Sequence, residues 1–288
     1  MKKGECKMAT GGHGEYLFGS YPQSAVQDIS LTAALRIIAD TQNAWQIHSK
    51  KTIYADVTNG GEKYRGIYKP DIQRTSWFRF DPIRWNILEQ NDHTMLLHSA
   101  VILDAQRFNR ETVSEHITDD GFYYYRGSKP VAERSYQNPV EKAADYANIF
   151  LFSDLKKWLE QDFLNTAFSD EETDRILTEV REDHAAGEWQ KHAHRVFLLS
   201  EQEIYAPAYR TQVLGRFKHA SPYAKAVGCK NGAWWTETGY DDCGVEAYCG
   251  ILVRTVKRLL KESATLTEKA TALGGVVPVI RIEKAQKE

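Results

Sequence analysis

The segment NGAWWTETGYDD sets two adjacent tryptophans, Trp234 and Trp235, between glycines and just ahead of a cluster of acids, Glu237, Asp241, Asp242 and Glu246. Neighbouring residues on a strand point to opposite faces, so at most one indole is expected in a one-sided core. The other is expected to border a groove with Tyr240 and the Asp241–Asp242 pair. A large aromatic beside acids and loop glycines is a composition that ligand and partner sites use. The candidate ligand-contact residues are therefore Trp234, Trp235, Glu237, Tyr240, Asp241, Asp242, Glu246 and Tyr248. The plainer alternative buries both tryptophans between two layers and leaves the acids solvated. Exposure of the indoles separates the two readings.

Other reactive residue types are present without a decisive pattern. The acids could ligate calcium, which takes several oxygens from one loop, but no regular Asp-x-Asp-x-Asp spacing supports it. His184, His192 and His194 share one polar stretch. His192 and His194 are two apart, which suits a chelate on a strand. Histidines in polar stretches are more often solvated, so no metal or other cofactor is expected. Cys243 and Cys249 could pair in an oxidising compartment or act as thiols, but Asp241, Asp242 and Glu246 would raise a neighbouring thiol pKa. No CxxC, G-x-S-x-G or P-loop motif occurs. The run Tyr123-Tyr124-Tyr125-Arg126 could stack a sugar or base, although packing against the body is the simpler role.

The elements that must position these residues can be outlined from pattern. Tyr16–Gln23 reads as a strand broken at Gly19, and Asp28 or Ser30 caps a helix with Leu31, Leu35 and Ile38 on one stripe. Residues 52–57 and 63–68 flank Asn59-Gly60-Gly61 as a hairpin. A second hairpin runs from Ile83, Trp85 and Ile87 through Gln90-Asn91-Asp92 to residues 94–98. Residues 107–147 form a long excursion, and residues 1–14 a flexible N-terminal segment. Ser153 caps a second helix. Ser169 and Glu172 make a capping box for a third, running through Ile176 and Val180. Residues 196–200 and 276–282 read as strands, whereas residues 251–269 look helical, with Val253, Val256 and Leu260 at i, i+3 and i+7.

Lys+Arg 37 against Asp+Glu 39 gives a net charge of -2, which leaves no general basic field for nucleic acid. No window offers the ~18 apolar residues of a membrane span, and no apolar run follows Met1-Lys2-Lys3. A cytoplasmic location is expected for the chain as given, with a surface or phage-associated one reached only through a partner. Length allows one large domain or two small ones, and no segment reads as an inter-domain linker, so one domain over residues 1–288 is expected.

Seven pieces in order carry a family resemblance: FGSYPQ (18–23), GEKYRGIY (61–68), FDPIRWNIL (80–88), SDLKKWLEQDFLNTAFSDEE (153–172), VFLLSEQE (196–203), Trp234-Trp235 and GGVVPVIRI (274–282). They resemble a bacterial domain family of uncharacterised function. That family is itself similar to the C-type-lectin-like fold of the formylglycine-generating-enzyme type, as found in target proteins of diversity-generating retroelements. The resemblance implies a single mixed α+β domain with antiparallel sheets and about three helices, whose terminal strands, 16–20 and 276–282, lie together. It also implies a non-catalytic module that binds a protein or carbohydrate through the segment after the tryptophans. An enzyme using Cys243 or Cys249, and a structural or assembly subunit, are the alternatives. Thr236-Glu237-Thr238-Gly239 replaces the Leu-Arg-Ser-Pro that usually follows the tryptophan pair in the family.

Overall fold

A computed structural model of the chain describes residues 15–49, 52–110, 114–118, 121–125, 147–185, 188–215, 218–229, 232–240, 252–259 and 262–285. It is mixed α+β, and its strands pair almost entirely antiparallel. β1 (Glu15–Ala25) leads into α1 (Ile29–Thr41), where Asp28 caps by accepting a hydrogen bond from the Leu31 amide at 3.0 Å. β2 (Gln46–Ser49), β3 (Thr52–Asn59) and β4 (Glu62–Lys69) follow. The β3–β4 turn is Gly60-Gly61, with φ of 60° and 84°, a two-residue turn whose twist matches the strands it joins. β5 (Arg74–Gln90) is 17 residues long and serves three neighbours: β4 along its first part, β1 along its middle and β6 (Thr94–Ser99) along its last. The Asn91 side chain closes the β5–β6 turn by accepting from the amides of His93 and Thr94.

β7 (Asp104–Arg107) begins a second sheet, and β8 (Ser114–Thr118) with β9 (Gly121–Tyr125) forms a hairpin within the expected excursion. A 3-10 turn (Phe150–Phe152) precedes α2 (Asp154–Trp158), a π turn (Leu159–Phe163) and α3 (Leu164–Ala167), which run on as one helix. α4 (Asp170–Asp174) carries the expected Ser169/Glu172 capping box but stops early. Its continuation enters the sheets as β10 (Ile176–Leu177) and β11 (Glu179–Ala185), because Ile176 pairs with Ile282 and the Arg175 carbonyl accepts from the Glu283 amide. Tertiary pairing thus overrides the helical pattern. β12 (Glu188–His194), β13 (Val196–Phe197), α5 (Glu201–Tyr205), α6 (Pro207–Val213) and α7 (Pro222–Val227) lead to β14 (Trp234–Tyr240). The last three of these helices bring the described total above the three expected.

The described residues of the stretch 251–269, which leave out Leu260, are strands and not a helix. β15 (Leu252–Leu259) and β16 (Glu262–Lys269) are strands, paired to each other and, through β15, to β14. Consecutive Thr255 and Val256 are both buried, so the spacing that mimics a helical stripe arises from a strand covered on both sides. β17 (Leu273–Val276) closes the second sheet beside β7 and β14, and β18 (Val279–Glu283) joins the first beside β6, β10 and β13. The terminal strands share the first sheet but are not neighbours: β5 and β6 lie between β1 and β18. Arg175 bridges them, donating to the Tyr16 hydroxyl at 3.3 Å and the Glu283 carbonyl at 2.9 Å.

One continuous core draws residues from both large sheets and from the helices, with a smaller one under α1 where Leu35 and Ala39 meet Val57, Tyr64 and Trp77. His98 on β6 is fully buried against Trp234, and among the described residues neither ring nitrogen has a hydrogen-bond partner. Burial, then the charge of Lys218, holds its pKa well below the usual value. The unfolded chain protonates this group near pH 6.5 while the folded chain does not, so stability falls as pH drops below ~6.5, by at most ~1.4 kcal/mol per pH unit. His98→Leu should flatten that slope between pH 7 and 5 and raise stability at pH 5, since it removes two unsatisfied nitrogens. Urea midpoints of both proteins at the two pH values check this, and identical slopes would refute it.

Candidate functional site

β14 is locked into the body before it reaches the acidic segment. Trp234 (3 % exposed) and Trp235 (0 %) are both buried, on opposite faces of the strand, so the expected split between core and groove does not occur. The strand is covered on both sides, which removes the one-sided-core premise. Trp234 packs against His98, with ring centres 5.6 Å apart. Trp235 stacks edge-on to Phe108 and donates its indole N–H to the Gln106 carbonyl at 2.8 Å. Its ring lies on Gly274, where an added Cβ would stand 2.5 Å from the indole, so only glycine fits there.

Glu237 is also inside. Its carboxylate accepts from Arg181 of β11, with Nε at 3.0 Å from Oε2. The same guanidinium turns its other side to Glu203 of α5, with Nη1 at 3.0 Å from Oε1. Arg181 rests over the Phe197 ring at 4.4 Å. Glu203 is simultaneously the third residue of a capping box, with Ser200 N donating to Oε2 at 2.8 Å. Burial alone would raise the Glu203 pKa, but hydrogen bonding to Arg181, its charge and Ser200 outweigh that and hold it low. Paired carboxylates raise the pKa of Arg181 against the effect of burial. One arginine thus ties β11, α5 and β14 together with charge-assisted bonds.

His192 lies opposite Arg181 in the β11–β12 ladder, and His194 opposite Glu179. Both are buried rather than solvated, which corrects the expectation for a polar stretch: the hairpin folds this face onto Phe150 and the π turn. Burial, then the neighbouring His194, pushes the His192 pKa down to about 3. Burial also lowers that of His194, against the opposing pull of Glu160. The described residue His184 lies further along β11, toward the hairpin end.

Of the eight residues expected to contact a ligand, Trp234, Trp235 and Glu237 are supports rather than surface. Tyr240 ends β14, while Asp241, Asp242, Glu246 and Tyr248, together with Cys243 and Cys249, lie outside the described residues. Cys229 is a buried free thiol whose pKa burial pushes up, the setting of an inert cysteine. Arg181, Glu203 and Glu160 escape a reading of the sequence by composition. The S-x-x-E spacing of Ser200 and Glu203 was a legible helix start, but nothing local pairs Glu203 with an arginine 22 positions away.

A match to the domain of unknown function DUF6273 spans residues 91–257, more than half of the chain. The chain belongs to the DUF6273 family. No curated protein and no solved structure matches it. The DUF6273 segment holds both tryptophans, the Arg181 network and the histidine pair, yet it is not a complete folding unit. β6 lies between β5 and β18, and both of those strands lie outside residues 91–257. Among the described residues, no helix is long and apolar enough to cross a membrane.

Two outcomes follow from this arrangement. Residues 91–257 expressed alone should lack the sharp thermal transition of the full chain, because β6 and β14 lose the partners β18 and β17; a cooperative melt of that piece would contradict the pairing. Arg181→Ala should destabilise the full chain by about 3 kcal/mol, the low end for breaking a buried pair, since the Glu203 side chain is 29 % exposed. Chemical denaturation measures it, and a loss under ~1 kcal/mol would show that the network is dispensable.

Proposed function

We propose that this DUF6273 protein is a non-catalytic binding module whose ligand, a protein or carbohydrate, is contacted by Tyr240, Asp241, Asp242, Glu246 and Tyr248. The observation that carries this reading is the immobilised root of β14. Trp234, Trp235, Thr236 and Glu237 are all buried there, directly before the segment 241–251 that connects to β15. Binding residues are disproportionately found on connections mounted on a rigid scaffold, and this one carries aromatic and acidic side chains at high density. The β14 tryptophans supply rigidity rather than contact area. Preorganisation of this kind reduces the ordering cost of binding. The common sheet of β1 and β18 supports a C-type-lectin-like architecture, and the resemblance to retroelement targets extends the reading to a protein varied in this segment. A reverse-transcriptase gene beside a near-repeat of the C-terminal coding segment would support that extension.

The test is a screen of the full chain on glycan and peptide arrays, repeated with alanine at Asp241, Asp242 and Tyr248. Each substitution should weaken the hits at least tenfold, ~1.4 kcal/mol or more, with the melting temperature unchanged. Cys243→Ser with Cys249→Ser should leave binding within tenfold. Binding indifferent to all three alanines would sink the proposed surface. A thiol-dependent turnover abolished by either single serine would favour the enzyme reading instead.

A further inference from the structure

His192 and His194 stand two residues apart on β12, so both imidazoles leave the same face of the β11–β12 hairpin. Their ring centres are 4.3 Å apart with the planes at 81°, and Nδ1 of His192 meets Nε2 of His194. His192 is 8 % exposed and His194 not at all. Nδ1 of His194 faces Glu160 Oε1 on the π turn at 3.4 Å, and among the described residues neither it nor Nε2 of His192 has a hydrogen-bond partner.

A carboxylate behind one ring nitrogen keeps the proton on that side and frees the lone pair on the other. In His194 the freed lone pair is Nε2, aimed at His192. Buried imidazoles ordinarily spend both nitrogens on hydrogen bonds. In this pair the two inner nitrogens meet each other, and the two outer ones make no hydrogen bond among the described residues. The charges acting on the pair are Lys156 and Arg181 against Glu160, and Arg181 is itself paired with Glu203 and Glu237. π turns inside helices are frequent at functional sites, and this one supplies Glu160.

We propose that Nδ1 of His192 and Nε2 of His194 chelate a borderline divalent transition cation of the zinc class, with Glu160 orienting His194 from behind. Imidazole suits zinc, copper and nickel rather than magnesium or calcium. Zinc–nitrogen bonds of about 2.0–2.1 Å require the rings to part as the ion enters. The pair sits on a two-stranded sheet with no third strand bonded to it among the described residues, so the parting disturbs neither large sheet. Among the described residues no three ligand side chains surround one point. The remaining coordination positions therefore fall to water or to a donor atom of a bound molecule, as in an open rather than a structural site.

The full chain is titrated with Zn2+ against a chromophoric chelator at pH 7.5, alongside His192→Gln, His194→Gln and Glu160→Gln. One equivalent should bind to the wild type, at least tenfold more weakly to either histidine variant, and about tenfold more weakly to Glu160→Gln. The chain has nine histidines, so long-range 1H–15N spectra of the wild type identify the ligands independently of any variant's folding. Zinc should move the resonances of His192 Nδ1 and His194 Nε2. Absence of uptake by the wild type, or shifts confined to other histidines, overturns the site.

Discussion

Both large sheets close on one stretch near the end of the described chain, Gly274–Ile282. β17 fills the gap between β7 and β14, and β18 fills that between β6 and the short strands β10 and β13. Val276, Val277, Val279, Ile280 and Ile282 are completely buried. This continuous apolar run is what a strand covered on both faces requires. At ~25 cal/mol per Å2 of apolar surface, burying side chains of this size contributes about 1.5–3 kcal/mol each, which makes the segment a principal stabiliser of the core. Everything it pairs with lies far away in sequence, so the sheets complete only after long loops have closed.

The Trp234–Trp235 pair depends on the same segment. Gly275 is the backbone partner of Trp234, and Gly274 is the floor under Trp235. A side chain at Gly274 would displace an indole whose N–H bond to Gln106 reaches β7. The tryptophans therefore cement β14 between β17 and β15.

Polar groups inside the fold act as cross-links between elements. Arg65 of β4 makes a two-pronged pair with Asp56 of β3, at 2.6 and 2.7 Å, beneath the rings of Tyr54, Phe80, Tyr21 and Tyr223. Tyr21 of β1 donates to Asp104 of β7 and so links the first sheet to the second. Arg181 performs the same role for the β11–β12 hairpin. Desolvating such groups is costly, and their attraction offsets the cost only when geometry is well satisfied, so their clearest effect is to select one arrangement of the elements. The histidine face of β12 lies within this framework, His192 being directly opposite Arg181 in the ladder.

Local chemistry in the sequence determined the elements whose signals are themselves local. Asn59-Gly60-Gly61 dictated the β3–β4 turn because two successive positive φ angles favour glycine. Asp28, Ser153 and the Ser169/Glu172 box dictated helix starts by satisfying amides three residues on. The class, α+β with antiparallel sheets, and the same-face placement of His192 and His194 were equally legible. Only the tertiary structure decided the rest. It ended the helix expected through Val180, because Ile176 finds Ile282. It turned residues 252–259 and 262–269 into strands because β14 offers an edge to β15. It placed β5 and β6 between the terminal strands, sank both tryptophans, and brought Arg181 to Glu203 and Glu237. Each of these outcomes rests on partners tens to hundreds of residues apart, and periodicity within a short window carries no record of them.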